Sequence, residues 1–300
     1  MHSHDHSTTE LPIAGKLAIS FACAMAILVL TIAASVAGVL HSHAFYPADD
    51  LRRTFLPNDV VNLSIGLLFL MVSLLVTWRG RLAGLLALPG ALLFVLYNSL
   101  VYVLGLPFGM LFLLHFGMVL LSACASVILV ARIDASAVRR RLAGVVPERF
   151  AGCVLTGLGA LFLFRSLGIL LLGITHKNPI ARTDLAVDLA DLLITPIWIA
   201  GGILLIFRKS IGYVASIGLL SQASMLFVAL SVFLPLQSLL TGGPFRFADA
   251  IVILLMGSVC FVPLVLFVRG AELSQSSSIR AFNSREQVGD HEVPNAPERH

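Results

Sequence analysis

The chain has 300 residues, of which 58% are apolar and 12% charged, with a formal net charge of +4 and a mean hydropathy of +0.96. Soluble domains carry about 25% charged residues, so this balance excludes a water-soluble globular protein and makes the lipid bilayer the first expected partner. The small positive charge is spread over loops and follows membrane topology, so no nucleic-acid partner is expected.

In chain order, a polar head (MHSHDHSTTELPIAG) leads into an apolar run over about 17–40. That run exceeds the roughly 7–15 apolar residues of a signal-peptide core and is expected to stay as the first span, with residues 1–16 as a cytoplasmic head. Seven more runs follow at roughly 61–78, 82–104, 108–131, 151–174, 189–207, 211–235 and 249–268. Each comes close to the ~20 helical residues that cross a ~30 Å hydrocarbon core. Period-two alternation is missing, and barrel strands are only about 10 residues long. The expected fold class is an all-α membrane protein with eight transmembrane helices. Residues 17–131 form a first four-helix half, 132–150 a basic cytoplasmic connector, 151–268 a second four-helix half, and 269–300 a disordered cytoplasmic tail. Cys23, Cys124, Cys153 and Cys260 fall inside expected spans without a CxxC pair, so neither a disulfide nor a cysteine metal site is expected.

Lysine and arginine counts set the expected orientation. Loops on one side hold 14 of them, from Lys16 through Arg79, Arg81, the 132–150 segment, Arg208 and Lys209 to the tail; the other side has five, Arg52, Arg53, Lys177, Arg182 and Arg246. Both termini are therefore expected in the cytoplasm. Asp49, Asp50, Asp59, Asp184, Asp188, Asp191 and Asp249 all fall on the outer side.

Two phrases echo each other. RTFLPNDVVN, residues 53–62, and RTDLAVDLAD, residues 182–191, share Arg, Thr, Leu and Asp 129 positions apart, and pair Asn62 with Asp191. At the same offset their helices end at Trp78-Arg79 and Phe207-Arg208, and Pro107-Phe108 and Pro244-Phe245 introduce the fourth and eighth spans 137 positions apart. The order of these polar and proline marks predicts two tandem repeats. Four spans per repeat is an even number, so both halves share one orientation about an axis along the membrane normal.

The repeated phrase carries the candidate site. Asp59 follows Pro57-Asn58 and is expected to be a structural helix cap, since an aspartate there accepts orphan backbone N–H bonds. In the second copy Asp184, Asp188 and Asp191 recur at i, i+4 and i+7, on one helical face. Such a stripe needs cations, water or protons to offset its repulsion, with Arg182 the nearest cation in sequence. Arg165 lies some nine residues below the outer end of its span, about 14 Å down at 1.5 Å per residue, where a charged group favours a partner. Helix geometry leans Arg165 inward and Asp191 outward, so their pairing is left open. Asn98 and Tyr102, one turn apart, and His115 fall in the same outer half. Each alone suits an interhelical hydrogen bond, but together they line the expected site. The expected ligand-binding set is Asp188, Asp191, Asn62, Arg165, Asn98, Tyr102 and His115.

His41, His43, His176 and His115 with nearby carboxylates make a zinc or iron site conceivable. Their spacing includes no HExxH or i, i+4 ligand pair, so neither a metal nor another cofactor is expected. The 132–150 connector, RIDASAVRRRLAGVVPERF, presents a basic cluster that anionic lipid attracts at about 1 kcal/mol per charge.

The phrases PNDVVNLSIGLLFL and PGALLFVLYNSLVYVLGLPF, and the Asp188–Pro196 run into a Gly-rich span, resemble those of a family of bacterial multi-pass membrane proteins with no assigned activity. The similarity covers about residues 50–235 and implies a bacterial cytoplasmic (inner) membrane setting. The leading functional expectation is binding or transport of a small polar or cationic solute through an outward-facing polar vestibule. A membrane-embedded metal-dependent lipid hydrolase and a non-catalytic sensor or assembly factor are the alternatives.

Overall fold

A computed structural model describes residues 12–13, 17–175, 180–242, 245 and 247–290, with side chains to residue 276. Eight helices are long and apolar enough to cross a membrane. They are α1 (Ala18–Leu40), a second formed by α3 (Asp49–Val61), a π-helical stretch (Asn62–Gly66) and α4 (Leu67–Trp78), α5 (Leu82–Gly105), α6 (Met110–Arg132), α8 (Glu148–Thr175), α9 (Arg182–Ile206), α10 (Ser210–Thr241) and α11 (Phe247–Asp290). The short helices α2 (Ser42–Phe45) and α7 (Ala135–Leu142) lie between spans. The chain is an all-helical, multi-pass membrane protein, and among the described residues the only strand-like pairing is the bridge between Ile13 and Ile133.

The second span starts at Asp49, twelve residues before the expected 61. Its polar first turns are stabilised by Asp49 and Asp50 at the positive end of the helix dipole and by an ion pair between Arg52 and Asp49. Pro57 interrupts the backbone ladder because it has no N–H for the carbonyl of Arg53. Gln237 Nε2 on α10 donates to that carbonyl at 3.1 Å instead, so a distant side chain keeps the helix continuous.

Helix α5 is the hub, buried along most of its length and packed on α4, α6, α9 and α10. Lipid supplies little hydrophobic drive between helices, so close backbone approach matters. A Cβ on Gly90 of α5 would sit 2.0 Å from the carbonyl oxygen of Gly218 on α10, and only glycine permits that crossing. Gly152 of α8 and Gly202 of α9 meet likewise, each hypothetical Cβ 2.7 Å from the other's carbonyl oxygen.

The turns that end α4 and α9 have the same bonding. Arg79 N donates to Leu75 O, Gly80 N to Thr77 O and Arg81 N to Val76 O; Phe207 N donates to Ile203 O, Arg208 N to Leu205 O and Lys209 N to Leu204 O. Gly80 and Arg208 occupy the left-handed position, with φ 73° and 53°. Corresponding residues in the two turns are 128 positions apart, one fewer than the expected 129. The π-helix over Asn62–Gly66 lies between the echoed phrase and the first turn, where one extra residue is needed to reconcile the two offsets.

At the opposite end from Asp49, the basic end, α7 is capped by Asp134, which accepts from Ser136 N at 2.9 Å and Ala137 N at 3.0 Å. Val138 and Leu142 are buried while Arg139 and Arg140 face outward. Asp134 N donates to Pro12 O at 2.9 Å, which brings the head and connector together. The last span runs on past residue 268. It continues as α11 to Asp290, because no proline or glycine interrupts the helix after Gly270 until Gly289. Arg81 pairs with Glu272 at 2.9 Å and Gln275 Nε2 donates to Gly80 O at 2.9 Å, anchoring the first turns of that extension.

Candidate functional site

The expected site residues divide into two groups around α5. The first is built on α9. Its turns place Asp188 and Asp191 on one face, and both are buried. Arg165 of α8 reaches them with one nitrogen, Nη1 lying 3.2 Å from Asp188 Oδ1 and 3.6 Å from Asp191 Oδ2. The Cβ directions of the two helices diverge, but the long arginine side chain spans the difference. Asp191 also accepts from Tyr97 of α5 at 2.9 Å and from Ser166 at 3.3 Å. The Arg165 side chain is 49% exposed, so this group has a polar edge while its carboxylates are enclosed. Asp184 is exposed at the helix start, and Arg182 donates to Leu106 O at 3.1 Å. The cation that offsets the aspartate stripe is Arg165, not Arg182.

The second group lies among α1, α3, α5 and α6, and it corrects the reading of Asp59. This residue is ten positions inside a helix whose N-cap is Ala48, so its carboxylate is too far along the helix to cap orphan N–H groups. Asp59 is fully buried and accepts from Tyr46 at 2.7 Å and Tyr102 at 2.7 Å. Gly38 of α1 gives it room, since a Cβ there would lie 2.1 Å from Asp59 Oδ2. Tyr46, between spans, stays a donor: burial, then the Asp59 charge, hold its phenol well above its ordinary range. No Lys or Arg among the described residues forms an ion pair with Asp59.

Tyr102 connects Asp59 to the remaining expected residues. Its ring stacks on His115 of α6 at a centroid distance of 3.9 Å and an interplanar angle of 6°. Below that stack, Asn62, Asn98 and His115 line a small enclosed cavity with Thr31, Ser35, Ser99 and Phe94. The cavity measures about 10 Å³, room for one water-sized guest.

Sequence reading missed Tyr46, Tyr97, Ser166 and Glu148. Tyr97 precedes Asn98 and was within view, but nothing in its spacing distinguishes it from an apolar aromatic. Glu148, at the basic end, accepts from Tyr213 and Gly144 N, each at 2.9 Å, and lies 3.9 Å from Arg208. It ties α8 to α10 and to the turn after α9. Gln222 is likewise an interhelical bridge, accepting from Trp198 Nε1 at 3.1 Å and donating to Leu93 O at 3.2 Å.

Among the described residues no three His, Cys, Asp or Glu side chains converge as metal ligands. His43 Nδ1 lies 2.9 Å from Arg52 Nη1, and His115 Nδ1 lies 2.8 Å from Leu111 O. His176, Lys177, Pro244 and Arg246 fall outside the described residues. Comparison with protein families, curated proteins and solved structures found nothing that matches the chain.

Proposed function

We propose that this protein binds a small polar or cationic solute from the outer face of a bacterial inner membrane, through Asp188, Asp191 and Arg165, and passes it into the helix bundle. One observation carries the reading: two buried carboxylates share a single guanidinium nitrogen. Counted as ionised, the group retains one negative charge, which is costly in a membrane span unless a cation or a fixed donor offsets it. Arg165, half-exposed at the edge, holds the place that a solute cation takes. An entering cation displaces the guanidinium from one carboxylate while Tyr97 and Ser166 keep Asp191 aimed.

The setting belongs to the same proposal. Positive residues concentrate at the end bearing α7 and the α4–α5 and α9–α10 turns, which supports cytoplasmic termini. The outward arginines of α7 suit anionic lipid. The matched turns and the π-helix that accommodates one extra residue support two tandem four-helix halves of one orientation, with Asp59 and Asn62 as counterparts of Asp188 and Asp191.

Binding of tetramethylammonium, choline and putrescine to purified protein, measured with thermal stability on the same samples, tests the site. Asp191→Asn keeps the side-chain shape and removes the charge, so binding weakens while the fold persists. Arg165→Leu removes the internal competitor, so binding of the same cations tightens. Unchanged binding of all three probes in both variants refutes the proposal.

A further inference from the structure

The enclosed cavity in the first four spans has a chemical bias that its size alone does not reveal. Three of its lining side chains direct a hydrogen at the carbonyl one turn back in their own helices, which uses the single hydrogen of Thr31 and of His115 and one of the two on Asn98. Thr31 Oγ1 donates to Ile27 O at 2.8 Å, Asn98 Nδ2 to Phe94 O at 3.0 Å, and His115 Nδ1 lies 2.8 Å from Leu111 O. A carbonyl only accepts, so Nδ1 carries the imidazole proton, and the neutral ring suited to a buried span leaves Nε2 as an acceptor. What remains of Thr31 and His115 is lone pairs, and Asn98 keeps its Oδ1 acceptor beside one N–H. Asn62, only 7% exposed, and Ser99, only 2%, also line the cavity. Neither side chain has a hydrogen-bond partner among the described residues. Asp59 lies one turn from Asn62 on the same helical stretch, fully buried and without an ion-pair partner. The helix widens into a π-turn at Asn62–Gly66, a distortion that recurs at functional sites.

A guest for this space must be water-sized, rich in hydrogens and positively charged. Water has only two hydrogens and no charge to balance Asp59. Na+ has the charge, but imidazole nitrogen is a poor ligand for a hard alkali cation, which prefers oxygen. Ammonium has four N–H donors in a water-sized sphere, and an aromatic ring, Phe94, is in the lining. We propose that the cavity bounded by Thr31, Asn62, Asn98, Ser99 and His115 is a binding site for ammonium, with Asp59 balancing its charge. This site is separate from the Asp188–Asp191 group and does not depend on it.

The test is titration of purified protein in lipid nanodiscs at pH 7 with ammonium, sodium, potassium and tetramethylammonium chlorides at constant ionic strength. Calorimetry and the thermal unfolding midpoint are read together. Ammonium is expected to bind saturably and raise the midpoint, with sodium and potassium weaker and tetramethylammonium, too large for the cavity, without effect. Thr31→Val, nearly isosteric, removes one acceptor and weakens ammonium about tenfold, the loss expected for one charge-assisted hydrogen bond. Asn98→Leu weakens it at least as much. Thr31 and Asn98 lie outside the Asp188–Asp191 group, so failure of the solute site in the Asp191→Asn experiment leaves this result intact. No ammonium binding, equal effects from all four cations, a preference for sodium, or affinity that survives both Thr31→Val and Asn98→Leu overturns the proposal.

Discussion

Removing one oxygen from Tyr102 should destabilise the protein through Asp59 alone. Tyr102→Phe keeps the ring, and with it the stack on His115 at 3.9 Å and the contact with Phe55 at 4.6 Å. It deletes the O–H that donates to Asp59 Oδ1 at 2.7 Å and lies 3.2 Å from Phe55 O. A hydrogen bond to a charged group contributes about 1.5–3 kcal/mol, and the carboxylate left behind is fully buried with one donor fewer. The expected loss is therefore about 2–3 kcal/mol, at the upper part of that range. Asp59→Asn removes the charge that the hydroxyl stabilises, so the two changes should not add. In a double-mutant cycle measured by equilibrium unfolding in mixed micelles, the coupling should be about 1–2 kcal/mol. The same cycle between Tyr102→Phe and Asp191→Asn, which belong to different groups, should show coupling below about 0.5 kcal/mol. Additive losses for Tyr102 and Asp59 would refute the hydrogen-bonded assignment and restore Asp59 to a local helix role.

Three further outcomes follow from the packing and the topology. Gly90→Val should destabilise the α5–α10 crossing by more than the roughly 1–3 kcal/mol of ordinary overpacking, because its Cβ meets a backbone carbonyl at 2.0 Å; a protein that unfolds at the wild-type midpoint contradicts that contact. Arg208→Gly should stabilise by about 1 kcal/mol, since φ of 53° costs a side-chain-bearing residue about 1–2 kcal/mol and the contact given up is a 3.9 Å approach to Glu148; a loss of stability in chemical unfolding shows that the ion pair dominates. A single cysteine at Ala44, in an otherwise cysteine-free protein, should react with a membrane-impermeant maleimide added outside intact cells, while one at Ser136 should react only after permeabilisation. The reversed pattern inverts the assigned topology.

The number and class of the helices were legible in the sequence because crossing a bilayer is a problem of length and hydropathy along the chain. Eight apolar runs of about 20 residues have one economical solution in lipid. The candidate site was partly legible for the same reason: Arg165, Asp188 and Asp191 stand out as ionisable groups in apolar surroundings. Their pairing was not. A membrane helix is apolar all round, so periodicity says little about which face meets a neighbour, and rotation about the axis decides whether Arg165 reaches two aspartates or lipid. Asp59 shows the same limit from the other side. Local sequence made it a helix start after Pro57, and only Gln237, 184 residues away from Arg53, supplies the donor that lets the helix begin earlier. Once the helix extends, Asp59 moves from a terminus to the interior, where Tyr46 and Tyr102 become its partners. The tertiary structure alone brings these groups together, because the close approaches at Gly38, Gly90 and Gly218 set the distances between helices that composition leaves free.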